Sequence, residues 1–184
     1  MEDQQSHPDG LSNRVGRRRI AALAVAASLF VIFSGYAGMM ANSYFSDRAA
    51  VKKKIDIAKT AAGAITTLWT YSPESVDTLA ERAADYLGGG FEDEYRKFMK
   101  SVVVPAKQAQ VTNKTEVVGV AVESVDGSDA SAMVFANNTA TSPLSHNIPS
   151  LKYVSYSLKL ESHGSKWRVT GLSTIGSMDL TPKL

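Results

Sequence analysis

Residues 118–136 read VGVAVESVDGSDASAMVFA. Val118, Val120 and Val122 recur at every second position up to Asp126-Gly127, and Ala132, Val134 and Ala136 resume the alternation beyond it. Side chains alternate between the two faces of a strand, so this period of two marks strands with one buried face. Asp-Gly between two such runs is a hairpin turn. A second pair follows: Val154, Tyr156, Leu158 and Leu160, then His163-Gly164, then Trp167 and Val169. Four strands joined mostly by hairpins predict an antiparallel sheet. The stretch Asn137 to Ser150 carries Pro143 and Pro149 and reads as a loop and a candidate binding edge.

Upstream of about Ala109 the period is that of a helix. Val51, Ile55, Ala58, Ala62, Ile65 and Trp69 form one apolar stripe, with Lys52, Lys53, Lys54, Asp56 and Lys59 largely off it. Such a lysine run is a solvated face, or touches anionic headgroups. Tyr71-Ser72-Pro73-Glu74-Ser75 reads as a helix start, with Ser72 as cap and Pro73 in the first turn. Val76, Leu79, Ala83 and Leu87 give its apolar stripe. A third helix carries Phe91, Tyr95, Phe98, Met99 and Val102 on one face and is expected to stop at Pro105.

Between these two helices stand Gly88, Gly89 and Gly90. A phosphate-binding loop needs a strand before it, whereas a helix precedes here and Glu92, Asp93 and Glu94 follow. The glycines therefore read as a corner, with Gly88 closing the earlier helix. Helices first and strands afterwards give an α+β fold, about three helices packed on a curved four-stranded antiparallel sheet.

The N-terminal part sets the topology. Ile20 to Ala41 is uncharged throughout, and at about 1.5 Å per residue it is long enough to cross a hydrocarbon core of about 30 Å. Arg17, Arg18 and Arg19 flank it directly. By the positive-inside rule they stay cytoplasmic and the rest of the chain lies outside. The organisation read from this is a cytoplasmic tail (1–19), a transmembrane helix (20–41), a juxtamembrane helix (42–70) and an extracytoplasmic domain (71–184). A signal peptide cleaved after Ala37 is the competing reading. Small residues on the cytoplasmic half of the span, Ala24 and Ser28 among them, suit close approach by another helix.

Composition narrows the chemistry. The 184 residues contain no cysteine, which excludes disulfides, thiolate catalysis and thiolate metal sites. The formal net charge is only +2, and four arginines cluster before the span, so nucleic-acid binding is not expected of the folded part. His7, His146 and His163 form no metal or catalytic spacing. Asp85, Tyr86, Tyr95 and Tyr156 would act on a proton only if the fold gathered them in one pocket. Asn113-Lys114-Thr115 and Asn137-Asn138-Thr139 match the glycosylation pattern, as short patterns often do by chance. No catalytic, cofactor or metal residue is assigned.

The order of tail, single span, LWTYSPESVDTLAERAADYLGGGFEDEY, Pro105, four strands and a closing GSKWRV (164–169) resembles the Mce-associated membrane proteins of mycobacteria and other actinobacteria. The echo lies in Leu68-Trp69-Thr70-Tyr71, the corner Gly90, Phe91 and Tyr95, and the Trp167 strand; the third corner glycine departs from the pattern. The resemblance implies an NTF2-like, or cystatin-like, domain held by one span in the inner membrane, with its C-terminal domain periplasmic. It also implies a non-catalytic accessory subunit of an Mce-type lipid import complex, with the permease, the Mce proteins and membrane lipid as partners and no cofactor. The alternatives are a VirB8-like scaffold of a secretion system, a periplasmic lipid carrier, or an enzyme of the NTF2-like superfamily.

Overall fold

The computed structural model describes residues 12–164 and 166–181. The chain divides into two compact units, Met1–Ala50 and Val51–Leu184. Helix α1 (Ser12–Trp69) enters both. It begins within the stretch expected as a polar tail.

In the first unit the side chains of Ser28 to Ser34 are described, and all are exposed. Leu29, Phe30, Val31, Ile32 and Phe33 are consecutive, so they clothe every side of the helix. Arg17, Arg18, Arg19, Ile20, Ala24 and Ala41 belong to α1, but their side chains lie outside the described residues. Ser28 is exposed and makes an interaction. Among the described residues no helix is long and apolar enough to cross a membrane.

The second unit is α+β. After α1 come a 3-10 turn (Val76–Thr78), α2 (Leu79–Ala84), α3 (Gly90–Gln108) and four strands: β1 (Thr112–Asp126), β2 (Asp129–Thr141), β3 (Ser150–His163) and β4 (Lys166–Asp179). The strands pair antiparallel in the order β1-β2-β3-β4. Alternate residues of β2 and β3 face the helices and are buried: Ala132, Val134 and Ala136, then Val154, Tyr156, Leu158 and Leu160. Each fully buried Val or Leu contributes about 1.5–3 kcal/mol relative to exposure. Val76, Leu79, Ala83 and Leu87 are fully buried against them, as the helical spacing predicts.

Several local expectations are corrected. The buried stripe of α1 is Ile57, Ala61, Ala64, Ile65 and Leu68, whereas Val51 and Ile55 are exposed. Ala61 and Ala64 alternate there with the larger Ile57, Ile65 and Leu68. At Tyr71–Ser75 no long helix starts. Tyr71 bridges Asn113 of β1, and the Ser72 and Ser75 hydroxyls bond each other at 3.2 Å, so a turn precedes the 3-10 segment. Pro105 lies inside α3, which runs on to Gln108. Ala106 is buried, and its carbonyl accepts from Val111 N at 2.9 Å, which secures the end of the helix beyond the proline.

The corner is built by a different glycine. Helix α2 ends at Ala84 without glycine. Gly88 lies against β4, donating to the Val169 carbonyl at 3.0 Å. Gly89, with φ of +60°, is the residue that needs the left-handed region, and it caps the start of α3.

In the sheet, β1 is bulged between Val117 and Gly119. Val117 therefore packs against the core and Val118 turns outward. Strand β2 continues to Thr141, which shortens the expected loop to 142–149.

Candidate functional site

A chain of polar groups runs through the contact between α1 and the sheet. The Trp69 carbonyl ends α1 and accepts from Asn113 Nδ2 at 2.6 Å. The Thr115 hydroxyl, on the core face of β1, lies 3.2 Å from that carbonyl and 2.9 Å from Asn138 Oδ1 of β2. Asn138 Nδ2 donates to the Tyr156 hydroxyl of β3 at 3.0 Å. Thr115 N donates to Thr70 Oγ1 at 3.1 Å. The Tyr156 ring stacks on Trp69, with centroids 6.3 Å apart and planes 15° apart.

Sequence reasoning missed this seam, although its signal was present. Asn138 continues the alternate-residue series Ala132, Val134 and Ala136, so it must face the core. Asn113, Thr115 and Asn138 belong to the two glycosylation-like triplets, and the fold uses them as internal ties.

The four residues considered for proton chemistry are not gathered. Tyr95 is buried on α3 and donates to the Leu68 carbonyl at 2.8 Å. Burial holds its phenol well above the ordinary range. Burial also raises Tyr156, partly offset by the Asn138 hydrogen bond. Both phenols stay protonated at neutral pH, and both have structural partners. Asp85 and Tyr86 line a separate open cleft of about 330 Å³ with Asp56, Lys59, Lys166 and Trp167.

Two other clefts open on the surface. One of about 390 Å³ lies between α2 and α3, floored by Val76, Ala80, Met99 and Val103 and rimmed by Asp77, Glu81, Arg96 and Lys100. The other, of about 200 Å³, sits near the first hairpin between Ser124, Asp126, Asp129 and Lys159. His146 and His163 are both exposed. Among the described residues no group of histidine and carboxylate side chains is placed to hold a metal ion. Among the described residues the buried side-chain polar atom without a partner is Trp69 Nε1; Trp69 lines none of the three clefts and meets Phe98 edge-on at 6.3 Å.

No family model matches the chain. It is 30% identical over 120 residues to the Mycobacterium tuberculosis "Uncharacterized protein Rv1362c", a match that covers 65% of this chain and 54% of the relative. The chain thus spans about half the length of that relative. It is 25% identical over 158 residues to the "Outer membrane protein Rv1973" of the same species, covering 85% of this chain and 98% of that one.

Among solved structures it is similar to an IcmL-like type IV secretion system protein from Legionella pneumophila (TM-score 0.56, 13% identity, 70% of this chain and 94% of the other). It is also similar to CagV, a VirB8 homolog of Helicobacter pylori (0.53, 11%, 65% and 96%). A third is a hexachlorocyclohexane dehydrochlorinase, LinA type 2 (0.52, 11%, 73% and 93%). At these identities the likeness establishes the fold alone, helices packed with a four-stranded antiparallel sheet.

Proposed function

We propose that the protein is a non-catalytic scaffold subunit of a transport assembly in the cell envelope, VirB8-like in role, held to the membrane through α1. One observation carries the reading: the folded unit packs an apolar core in which Thr115, Asn138 and Tyr156 are tied to one another, while α1 presents five consecutive exposed apolar residues, Leu29 to Phe33. A domain of that kind offers surfaces rather than a reaction chamber, and a helix that is apolar all round belongs in lipid or in a partner. Two of the solved structures named above are type IV secretion proteins, which favours the secretion scaffold. The dehydrochlorinase is an enzyme, but here Tyr95 and Tyr156 are spent on structural bonds and both histidines of this unit are exposed.

A second reading is an accessory subunit of an Mce-type lipid import complex. Its support is the sequence resemblance together with mycobacterial relatives that match at 30% and 25% identity. In both readings Arg17, Arg18 and Arg19 hold the N-terminus in the cytoplasm, residues 20–41 span the inner membrane, residues 42–70 are juxtamembrane, and 71–184 lie in the periplasm. In both, Ala24 and Ser28 offer a close-packing face to a neighbouring span.

Affinity purification of the full chain from native membranes, followed by mass spectrometry, tests the proposal. Secretion ATPase and channel subunits support the first reading; Mce proteins and permease support the second. Recovery of the chain alone, or turnover of a substrate by the purified protein, overturns both. Stoichiometric lipid extracted with the chain supports a carrier instead.

A further inference from the structure

The two edges of the sheet are finished differently. Strand β1 forms one edge. Its start is bridged to Tyr71, and along the rest stand Lys114, Glu116, Glu123 and Asp126 with two bulges. Charges and bulges are the ordinary guards of an exposed edge.

Strand β4 forms the other. Its first half is already paired laterally: Val169 N donates to the Tyr86 carbonyl at 2.8 Å, and the Val169 carbonyl accepts from Gly88 N. Arg168 Nη1 locks the same corner, donating to the Leu87 carbonyl at 2.9 Å. Beyond that point the corner ends and the edge stays open. Among the described residues, no other backbone group bonds to the outer side of Gly171–Met178. From Ser173 onward every β4 residue is exposed, with Ile175 at 57% and Met178 at 61%. Thr170 to Met178 reads TGLSTIGSM, with no charge and no proline. Bulges at Thr170 and Ile175 interrupt it, so what sets this edge apart from β1 is its lack of charge.

We propose that this edge pairs antiparallel with the same edge of a second copy, about a two-fold axis near Ile175, joining two four-stranded sheets into one. Three observations select a like strand as the occupant. The open backbone groups continue a lateral hydrogen-bonding edge that the fold has already begun to use at Val169. The stretch is uncharged, so a copy of it brings no like-charge repulsion. Its apolar residues, Leu172, Ile175 and Met178, are spaced on both sides of the bulge at Ile175, so an antiparallel copy sets apolar against apolar across the axis. The pairing is independent of which assembly the protein serves.

The chain has no cysteine, so introduced thiols report without background. Single cysteines replace Ser173, Thr174, Ile175, Ser177 and Met178 in turn in the detergent-solubilised full chain, with Lys114→Cys and Glu123→Cys on β1 as controls. Disulfides form only when Cα atoms come within about 7 Å. The expected profile has a maximum within residues 173–177, falls on both sides, and shows nothing on β1. In parallel, Ser173→Lys with Ser177→Lys is expected to halve the mass measured by light scattering over roughly a hundredfold concentration range, with thermal unfolding unchanged. A flat thiol profile, a wild-type protein that is monomeric throughout, or a dimer indifferent to the lysines overturns the proposal. So does cross-linking of the β4 thiol in membranes to a different protein instead of a second copy.

Discussion

The Tyr95 hydroxyl donates to the Leu68 carbonyl at 2.8 Å, tying α3 to the last turn of α1 inside the core. Tyr95→Phe keeps the ring and strands that carbonyl without a partner. An unpaired buried acceptor costs about 1–3 kcal/mol. The variant should stay folded by circular dichroism and lose a few degrees in thermal midpoint.

The same phenol sets a pH response. Burial raises Tyr95, and also Tyr71 and Tyr156, above the unfolded value of about 10. The native state therefore holds these protons at pH values where the unfolded chain releases them. Stability is fully present below about pH 10 and falls as pH rises beyond it. Denaturant midpoints across that range should show the decline, and Tyr95→Phe should show a shallower one.

Gly63 has no side chain because Tyr86 occupies its place. A Cβ there would stand 2.6 Å from Tyr86 Cε1. Gly63→Ala should cost about 1–3 kcal/mol by overpacking. In a Tyr86→Ala background the same change should stabilise by about 0.5–1 kcal/mol through helix propensity. Chemical denaturation of the four proteins measures this reversal of sign as a coupling energy.

The three corner glycines should respond separately. Gly89→Ala forces a φ of +60° on a side chain and should destabilise by about 1 kcal/mol or more. A Cβ at Gly90, the first residue of α3, meets nothing within 4 Å. Gly90→Ala should therefore be neutral or gain up to about 1 kcal/mol. Parallel thermal melts decide between them.

Exposed apolar residues on α1 make membrane retention testable. Val31→Arg with Phe33→Asp places two charges in the run Leu29–Phe33. Each charge costs about 2.5–3.5 kcal/mol at the centre of a span. The double variant should leave the carbonate-resistant membrane pellet, and wild type should remain in it.

The sheet was legible in the sequence because the alternation of its central strands β2 and β3 is strict. Val134 and Leu158 face the core by period alone, and Gly127 and Gly164 mark the turns. The helix faces were less legible. Ala61 and Ala64 carry little hydrophobic signal yet sit at the centre of the contact, while Val51 and Ile55 carry more and stay outside. Pro105 misled because an end-of-helix rule ignores what tertiary contacts hold in place; the burial of Ala106 outweighs the lost backbone bond. The bulge at Val118 shifted the phase of β1, which no count of alternating residues reveals. The Thr115–Asn138–Tyr156 seam is a long-range pairing, and only the strand register brings its members together. The corner's identity as a turn was legible, but not which glycine bends, since Gly88 is held by a strand more than eighty residues away.

Lys53 stands near the start of the second unit, donates to the Gly127 carbonyl at 2.5 Å and lies 5.4 Å from the Trp167 ring centroid. One ammonium thereby fastens the entering helix to the first hairpin and to the opening of the last strand. Anyone trimming the protein to a soluble piece must begin upstream of that lysine: a cut at Ile55 would discard the clasp and leave both loops to fray.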